Sequence, residues 1–337
     1  MHLSIAIIIL LLLLFAPLFF RVVEENLEAY CFVLGIVAIG FSGGLDWHLA
    51  ERALSDPLPI SIAVLVAGLL FRYGRPYLDS AMESMSVRLP RPFLSALIVA
   101  VVALVSSLIT SIVAALVLVE ALRSLRLPRN KLVRVTIVGC LAIGLGASLT
   151  PLGEPLSTIA VDELNLEFFG LFYLLAPYVL PGILACSVIA ALFARGQGDA
   201  EEQSVELSVG LRASVIRAVK VFAFIAGLVL LGKAFAPLAG AVVNDLSPPV
   251  LFWANVVGAA LDNATVVAIE IHGMPLILAR EVILSLLASG AMLIQGNIPN
   301  IIAGGALGIS AARWARVGIP LGLVFLLAFF FSLRFAG

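Results

Sequence analysis

The sequence has 337 residues, of which 62% are hydrophobic and 12% charged, against about 45–50% apolar and a quarter charged in an ordinary soluble domain. Its 20 Lys and Arg nearly balance 21 Asp and Glu, leaving a net charge of −1, and the mean hydropathy is +1.16. These values exclude a soluble enzyme, a disordered chain and a nucleic-acid binder, which needs a basic face, and point to an integral membrane protein.

The apolar runs are unbroken rather than alternating, which predicts helices and not a barrel. The first, 3–20, lacks the basic start and small-residue cleavage site of a signal peptide, so it reads as a helix. With a second run it forms a pair of peripheral helices within 1–56. Residues 57–194 form a first repeat, with a re-entrant hairpin over 93–122 and a discontinuous helix over 131–160. A cytoplasmic linker, 195–213, carries Asp199, Glu201, Glu202 and Glu206. Residues 214–337 form a second repeat, with a hairpin over 249–271 and a discontinuous helix over 275–310. The predicted fold is an all-α polytopic membrane protein built as an inverted repeat.

The hairpins follow from length and charge. As one helix, 93–122 would be about 45 Å long, against a lipid core of about 30 Å. Its middle is polar, Ser106-Ser107-Leu108-Ile109-Thr110-Ser111, as is Leu261-Asp262-Asn263-Ala264-Thr265 in the second half. Arg72, Arg75, Arg88 and Arg91 precede the first run, and Arg123, Arg126, Arg129, Lys131 and Arg134 follow it. If the run dips to the midplane and returns, both basic clusters face the cytoplasm, as the positive-inside rule prefers. Carried along the chain, this puts the N-terminus outside and leaves only Arg52, Lys233, Arg280 and Arg334 on the outer side.

The repeat is also visible in the letters. Gly146-Ala147-Ser148-Leu149 and Gly290-Ala291-Met292-Leu293 are followed, at the same distance, by Pro155 and Pro299. Between them lie Thr150-Pro151-Leu152-Gly153-Glu154 and Ile294-Gln295-Gly296-Asn297-Ile298. Matching interruptions in two halves mark a transporter's binding site.

Sorted by side, the acids leave Glu154 and Asp262 within the membrane, with no Lys or Arg at their depth. Such a carboxylate must take a proton or hold a cation. The sequence therefore predicts a sodium-type cation at Asp262, Asn263 and Glu154, with Thr110, Ser111, Thr150, Thr265, Asn297 and Asn300 supplying further oxygens. Each has a plainer reading: hydroxyls back-bonding to their own helices, Gln295, Asn297 and Asn300 stitching helices together, Glu154 or Asp262 capping a half-helix. Glu120 and Glu270 sit near hairpin ends, where snorkelling accounts for them. Cys31, Cys140 and Cys186 lack metal-ligand spacing. No phosphate-binding sequence is present, so neither an ATPase nor another enzyme is expected, and no cofactor beyond sodium or protons.

The stretch 146–155 resembles the broken-helix motif of the ion-transporter superfamily that includes NhaD-type sodium/proton antiporters, arsenite permeases and dicarboxylate symporters. The Asp262-Asn263 tip is similar to that of the NhaD-type members, and both motifs resemble an uncharacterised prokaryotic group assigned to cation transport. The resemblance implies two hairpins, two discontinuous helices, a site between them and a homodimer in a prokaryotic plasma membrane. Dicarboxylate members carry Ser-Asn-Thr at both tips; here the tips read Ile109-Thr110-Ser111 and Asp262-Asn263-Ala264, against a carboxylate substrate. The expected activity is monovalent cation (sodium)/proton antiport by alternating access. The alternative is sodium- or proton-coupled transport of a small anion. The expected partners are the lipid bilayer and a small inorganic ion, with no nucleic acid.

Overall fold

The computed structural model describes residues 2–196, 211–243, 246–258, 263–271 and 273–335. The linker acids Asp199, Glu201, Glu202 and Glu206 and the hairpin-tip Asp262 lie outside these residues, as does the side chain of Thr265. Every regular element among the described residues is helical. The peripheral segment holds α1 (Leu3–Phe19), a short α2 (Arg21–Glu25), α3 (Leu27–Ser42) and α4 (Trp47–Ser55). Helix α4 starts where the Asp46 carboxylate accepts the Leu49 N–H at 2.6 Å, satisfying an orphan donor of the first turn. It buries Leu49 and Ala53 while Trp47 stays exposed.

The first half continues with α5 (Pro57–Arg88), α6 (Arg91–Ile109), α7 (Ser111–Ser124), α8 (Arg129–Ala147), α9 (Pro155–Glu163) and α10 (Gly170–Ala194). The second half holds α11 (Leu211–Val243), α12 (Pro248–Gly258), α13 (Asn263–Glu270), α14 (Leu276–Gly290), a 3-10 turn (Ile294–Gly296), α15 (Ile298–Leu307) and α16 (Ala311–Phe335). Among the described residues, five stretches are long and apolar enough to cross a membrane: α6, α8, α10, Ser214–Leu238 of α11, and α16. Helix α6 has 19 residues, about 28 Å at 1.5 Å per residue.

Burial separates the centre from the periphery. In the apolar window of α8, 83% is buried, against 44% for α10 and 39% for α16. The outer helices expose large apolar rows such as Leu180, Leu184, Val188 and Leu192 on α10, far more than a soluble surface tolerates. At the centre, Gly146 lets α8 meet the backbone of α6: a Cβ there would lie 1.7 Å from the Ala103 carbonyl oxygen. Thr150 bonds the Ser107 carbonyl, and the Ser111 N–H donates to the Gly153 carbonyl at 2.7 Å. Ser106 Oγ also donates to the Ile143 carbonyl at 3.1 Å, and Thr110 joins α6 to α7. That residue takes φ 73° and ψ 144°, a region costly for any side chain and held only where the surroundings impose it.

Packing is reciprocal between the halves. Helix α6 packs on α8 and α12 on α14; α5 packs on α7 and α11 on α13. The second arm of each pair crosses over, α7 lying on α15 and α13 on α9. At one end of the molecule, Arg123 donates to the Ala306 carbonyl at 3.2 Å and Arg129 to those of Leu307 and Gly308. Lys131 donates to the Gly196 carbonyl. Cations thus meet the negative end of the α15 dipole, and the segments following α7, α10 and α15 gather at this end.

Gly146→Ala should separate α6 from α8 and destabilise the purified protein by about 1–3 kcal/mol, the usual penalty of overpacking. Gly305→Ala, where a Cβ meets nothing within 4 Å, should be neutral or slightly stabilising. Thermal unfolding in detergent compares the two.

Candidate functional site

Two helices stop inside the protein, and side chains take over the backbone partners they leave. At the first stop, Thr150 donates to the Ser107 carbonyl and accepts from the Leu152 N–H at 3.3 Å. Ser157 donates to the Ala147 carbonyl at 3.2 Å, and Thr158 to the Pro151 carbonyl at 2.6 Å. Thr150 is therefore committed to holding the interruption. Ser111 is buried and bound through its backbone to Gly153. Thr110, beside it, keeps a buried hydroxyl with no hydrogen-bond partner among the described residues.

The second stop relies on amides. Asn300 Nδ2 donates to the Gly290 carbonyl at 2.8 Å and the Leu293 carbonyl at 2.9 Å. Asn297 caps α15, its Oδ1 accepting the Ile298 N–H at 2.8 Å, and Trp314 Nε1 donates to the Ala291 carbonyl at 3.1 Å. Gln295 Nε2 reaches the Leu13 carbonyl of α1 at 3.4 Å, and Asn263 Nδ2 the Leu286 carbonyl at 3.2 Å. A carbonyl only accepts, so in each pair the amide nitrogen must face it. The amide oxygens of Asn263, Gln295 and Asn300 are left buried with no hydrogen-bond partner among the described residues. Each such orphan costs roughly 1–3 kcal/mol if nothing fills it.

Between the two stops lies a cavity of about 20 Å³. Its polar lining is Glu154 from the first stop, Asn263 from the start of α13, and Gln295 and Asn297 from the second stop. Leu156, Leu228 and Ile298 complete the wall. Glu154 is 7% exposed, Asn263 6% and Gln295 2%. No Lys, Arg or His lines the cavity among the described residues. One water-sized guest needs about 10–15 Å³, so the space suits a single water or bare monovalent ion.

The structure thus brings Glu154, Asn263 and Asn297 together. It keeps Thr110, Ser111 and Thr150 at the junction of α6 and α7 with the first stop, and Asn300 behind the second. Asp262, next in sequence to Asn263, lies outside the described residues, and Thr265 is described only as part of α13. Gln295, read from the sequence as a helix stitch, also presents an oxygen close to the cavity.

A second acid is buried nearby, and here the sequence reading is corrected. Glu270, assigned to snorkelling, is 7% exposed and turns inward. Its Oε2 accepts from Asn255 Nδ2 at 3.0 Å, and the same nitrogen donates to Ser285 Oγ at 2.9 Å. Ser285 in turn donates to the Val282 carbonyl at 2.7 Å. The cluster joins α12, α13 and α14. The only sequence signal for it is the helical phase of Glu270 on a short helix.

The fold and site define an all-helical protein with several helices able to span a bilayer and two interrupted helices meeting at a small acid- and amide-lined cavity. Over residues 3–335 the chain matches the family described as a protein of unknown function (DUF1646), and it belongs to that family. No curated protein matches the sequence.

Asn300→Ala would take the Asn300 donor from the Gly290 carbonyl and leave the Leu293 carbonyl with the Gly296 N–H at 3.1 Å. One buried acceptor left open should lower unfolding stability by about 1–3 kcal/mol. Denaturant unfolding of the purified protein checks it.

Proposed function

We propose that the protein is a polytopic membrane transporter exchanging a monovalent cation, of the sodium type, for protons by alternating access. The observation that carries this reading is the single-guest cavity lined by a carboxylate and amide side chains, with no cationic side chain among the described residues. A hard cation is held by oxygen ligands, and the buried amide oxygens of Asn263 and Gln295 supply them beside Glu154. Asp262 is assigned the shared proton and cation carboxylate at the tip of the second hairpin, and Glu154 the second acidic ligand or proton-coupling group. A charged empty site is costly to move through apolar surroundings. The site therefore moves carrying either a proton or a cation, and that exclusivity couples the two.

An anion is the less supported cargo. Helix N-termini attract anions through free N–H groups, but α9 opens with Pro155 and α15 has Pro299 as its second residue. Pro155 and Pro299 have no N–H, and the Ile298 N–H is taken by Asn297. In this proposal the two halves are an inverted repeat with re-entrant hairpins, supported by their reciprocal packing and paired interruptions. The end carrying Arg123, Arg129 and Lys131 faces the cytoplasm of a prokaryotic cell, as the positive-inside rule favours.

Reconstituted in sealed liposomes with an imposed pH gradient, the protein should dissipate the gradient when sodium or lithium is added. Asp262→Asn should abolish the exchange, and Glu154→Gln should weaken apparent cation affinity about 10–100-fold, the worth of one charged ligand. Failure of every monovalent cation, with sodium-driven uptake of an anion instead, would overturn the proposal.

A further inference from the structure

A second, larger cavity lies at the start of α8, at the opposite end of that helix from its interruption. It measures about 680 Å³ and opens between the start of α8, the end of α10 and the start of α16. Its composition is graded. Asn130, Arg134, Arg313 and Arg316 line it at the helix ends, and Val133, Ile189, Phe193, Val317, Leu321 and Val324 form its apolar walls. On α16 the order Arg313, Arg316, Val317, Pro320, Leu321, Val324 follows one helical face. From Arg313 to Val324 that face descends about 16 Å. Arg134 lies over the Phe193 ring, 5.8 Å from its centre. None of the three arginines makes an ion pair among the described residues, although Arg52, Arg123, Lys220 and Arg334 all do.

From this cavity we infer that the protein carries a binding site for one anionic phospholipid, its phosphate held by Arg134, Arg313 and Arg316 and an acyl chain lying along α16 and α10. Three guanidiniums without an ion pair among the described residues call for an anion, and guanidinium matches phosphate geometry through paired N–H donors. The apolar wall calls for a hydrocarbon tail, which a free phosphate does not have. Basic pockets between membrane helices on the cytoplasmic side take anionic lipid headgroups for the same reasons. The inference rests on the membrane placement proposed above, and not on which ion the protein carries. Because Lys131 ties α8 to the end of α10 and Arg129 ties α8 to the end of α15, a lipid here would brace the three segments that meet at this end.

The test uses delipidated full-length protein in nonionic detergent, titrated with dioleoylphosphatidylglycerol, with dioleoylphosphatidylcholine and with inorganic phosphate, and read by native mass spectrometry. One phosphatidylglycerol should bind per chain in preference to phosphatidylcholine. The combined Arg134→Gln, Arg313→Gln, Arg316→Gln variant should bind it about 100-fold more weakly, given the worth of each basic residue at an anionic surface. Removing Arg88, Arg91 and Arg195 in the same way should leave binding intact. Val324→Trp, which fills the apolar wall without changing charge, should weaken lipid binding even if the triple variant fails to fold. Equal losses in both triple variants would overturn the site, as would phosphate binding as tightly as the lipid. So would lipid binding only after Asp199, Glu201, Glu202 and Glu206 are neutralised, which would make the linker the occupant. Transport by the wild-type protein is measured separately, so absence of ion exchange leaves this result readable.

Discussion

A backbone carbonyl or N–H in an apolar interior must find a partner, and this protein stops two helices where few are available. Much of its centre answers that constraint. Thr150, Ser157 and Thr158 hold the first interruption, while Asn297, Asn300 and Trp314 hold the second. An amide that donates to a carbonyl presents its oxygen elsewhere. The side chains that repair the interruptions therefore leave oxygen acceptors around them, and those of Asn263 and Gln295 belong to residues lining the small cavity. Asn297 is the one residue that both holds an interruption and lines the cavity among the described residues.

Packing within the halves and between them is reciprocal. The α7–α15 and α13–α9 contacts cross between halves, whereas α6–α8 and α12–α14 lie within them. The cavity draws its polar lining from the first interruption, the start of α13 and the second interruption, so in the proposed transport cycle motion of one half against the other opens it toward one face at a time. The strained Thr110 directly precedes α7, and Glu270 of α13 is held by Asn255 of α12, which also bonds Ser285 of α14. Strain of that kind persists where surrounding structure imposes it.

The helical architecture and the positions of the interruptions are legible in the sequence because they depend on local chemistry. Pro155 and Pro299 sit in the first turns of α9 and α15, where a missing N–H costs nothing. Unbroken apolar runs do the same for the helices able to span a bilayer. The division of labour at the site is not local. Residue type marks Thr150, Asn297 and Asn300 as polar in an apolar run, but which carbonyl each completes depends on how α6, α14 and α15 pack. Gln295 and Asn297 lie on an irregular stretch with no period to say which faces the cavity. Glu270 could face lipid headgroups or the interior, and packing of α13 against its neighbours decides it.

The central claim is that a proton and a cation compete for one buried carboxylate site. Proton release on cation binding tests it most directly, followed with a pH indicator in a weakly buffered solution of the purified protein. The account predicts that sodium, or another small monovalent cation, displaces protons with a saturable dependence, and that Asp262→Asn removes the release. Saturable binding of sodium with no proton release, or no response to any cation alongside saturable binding of an anion, would contradict it.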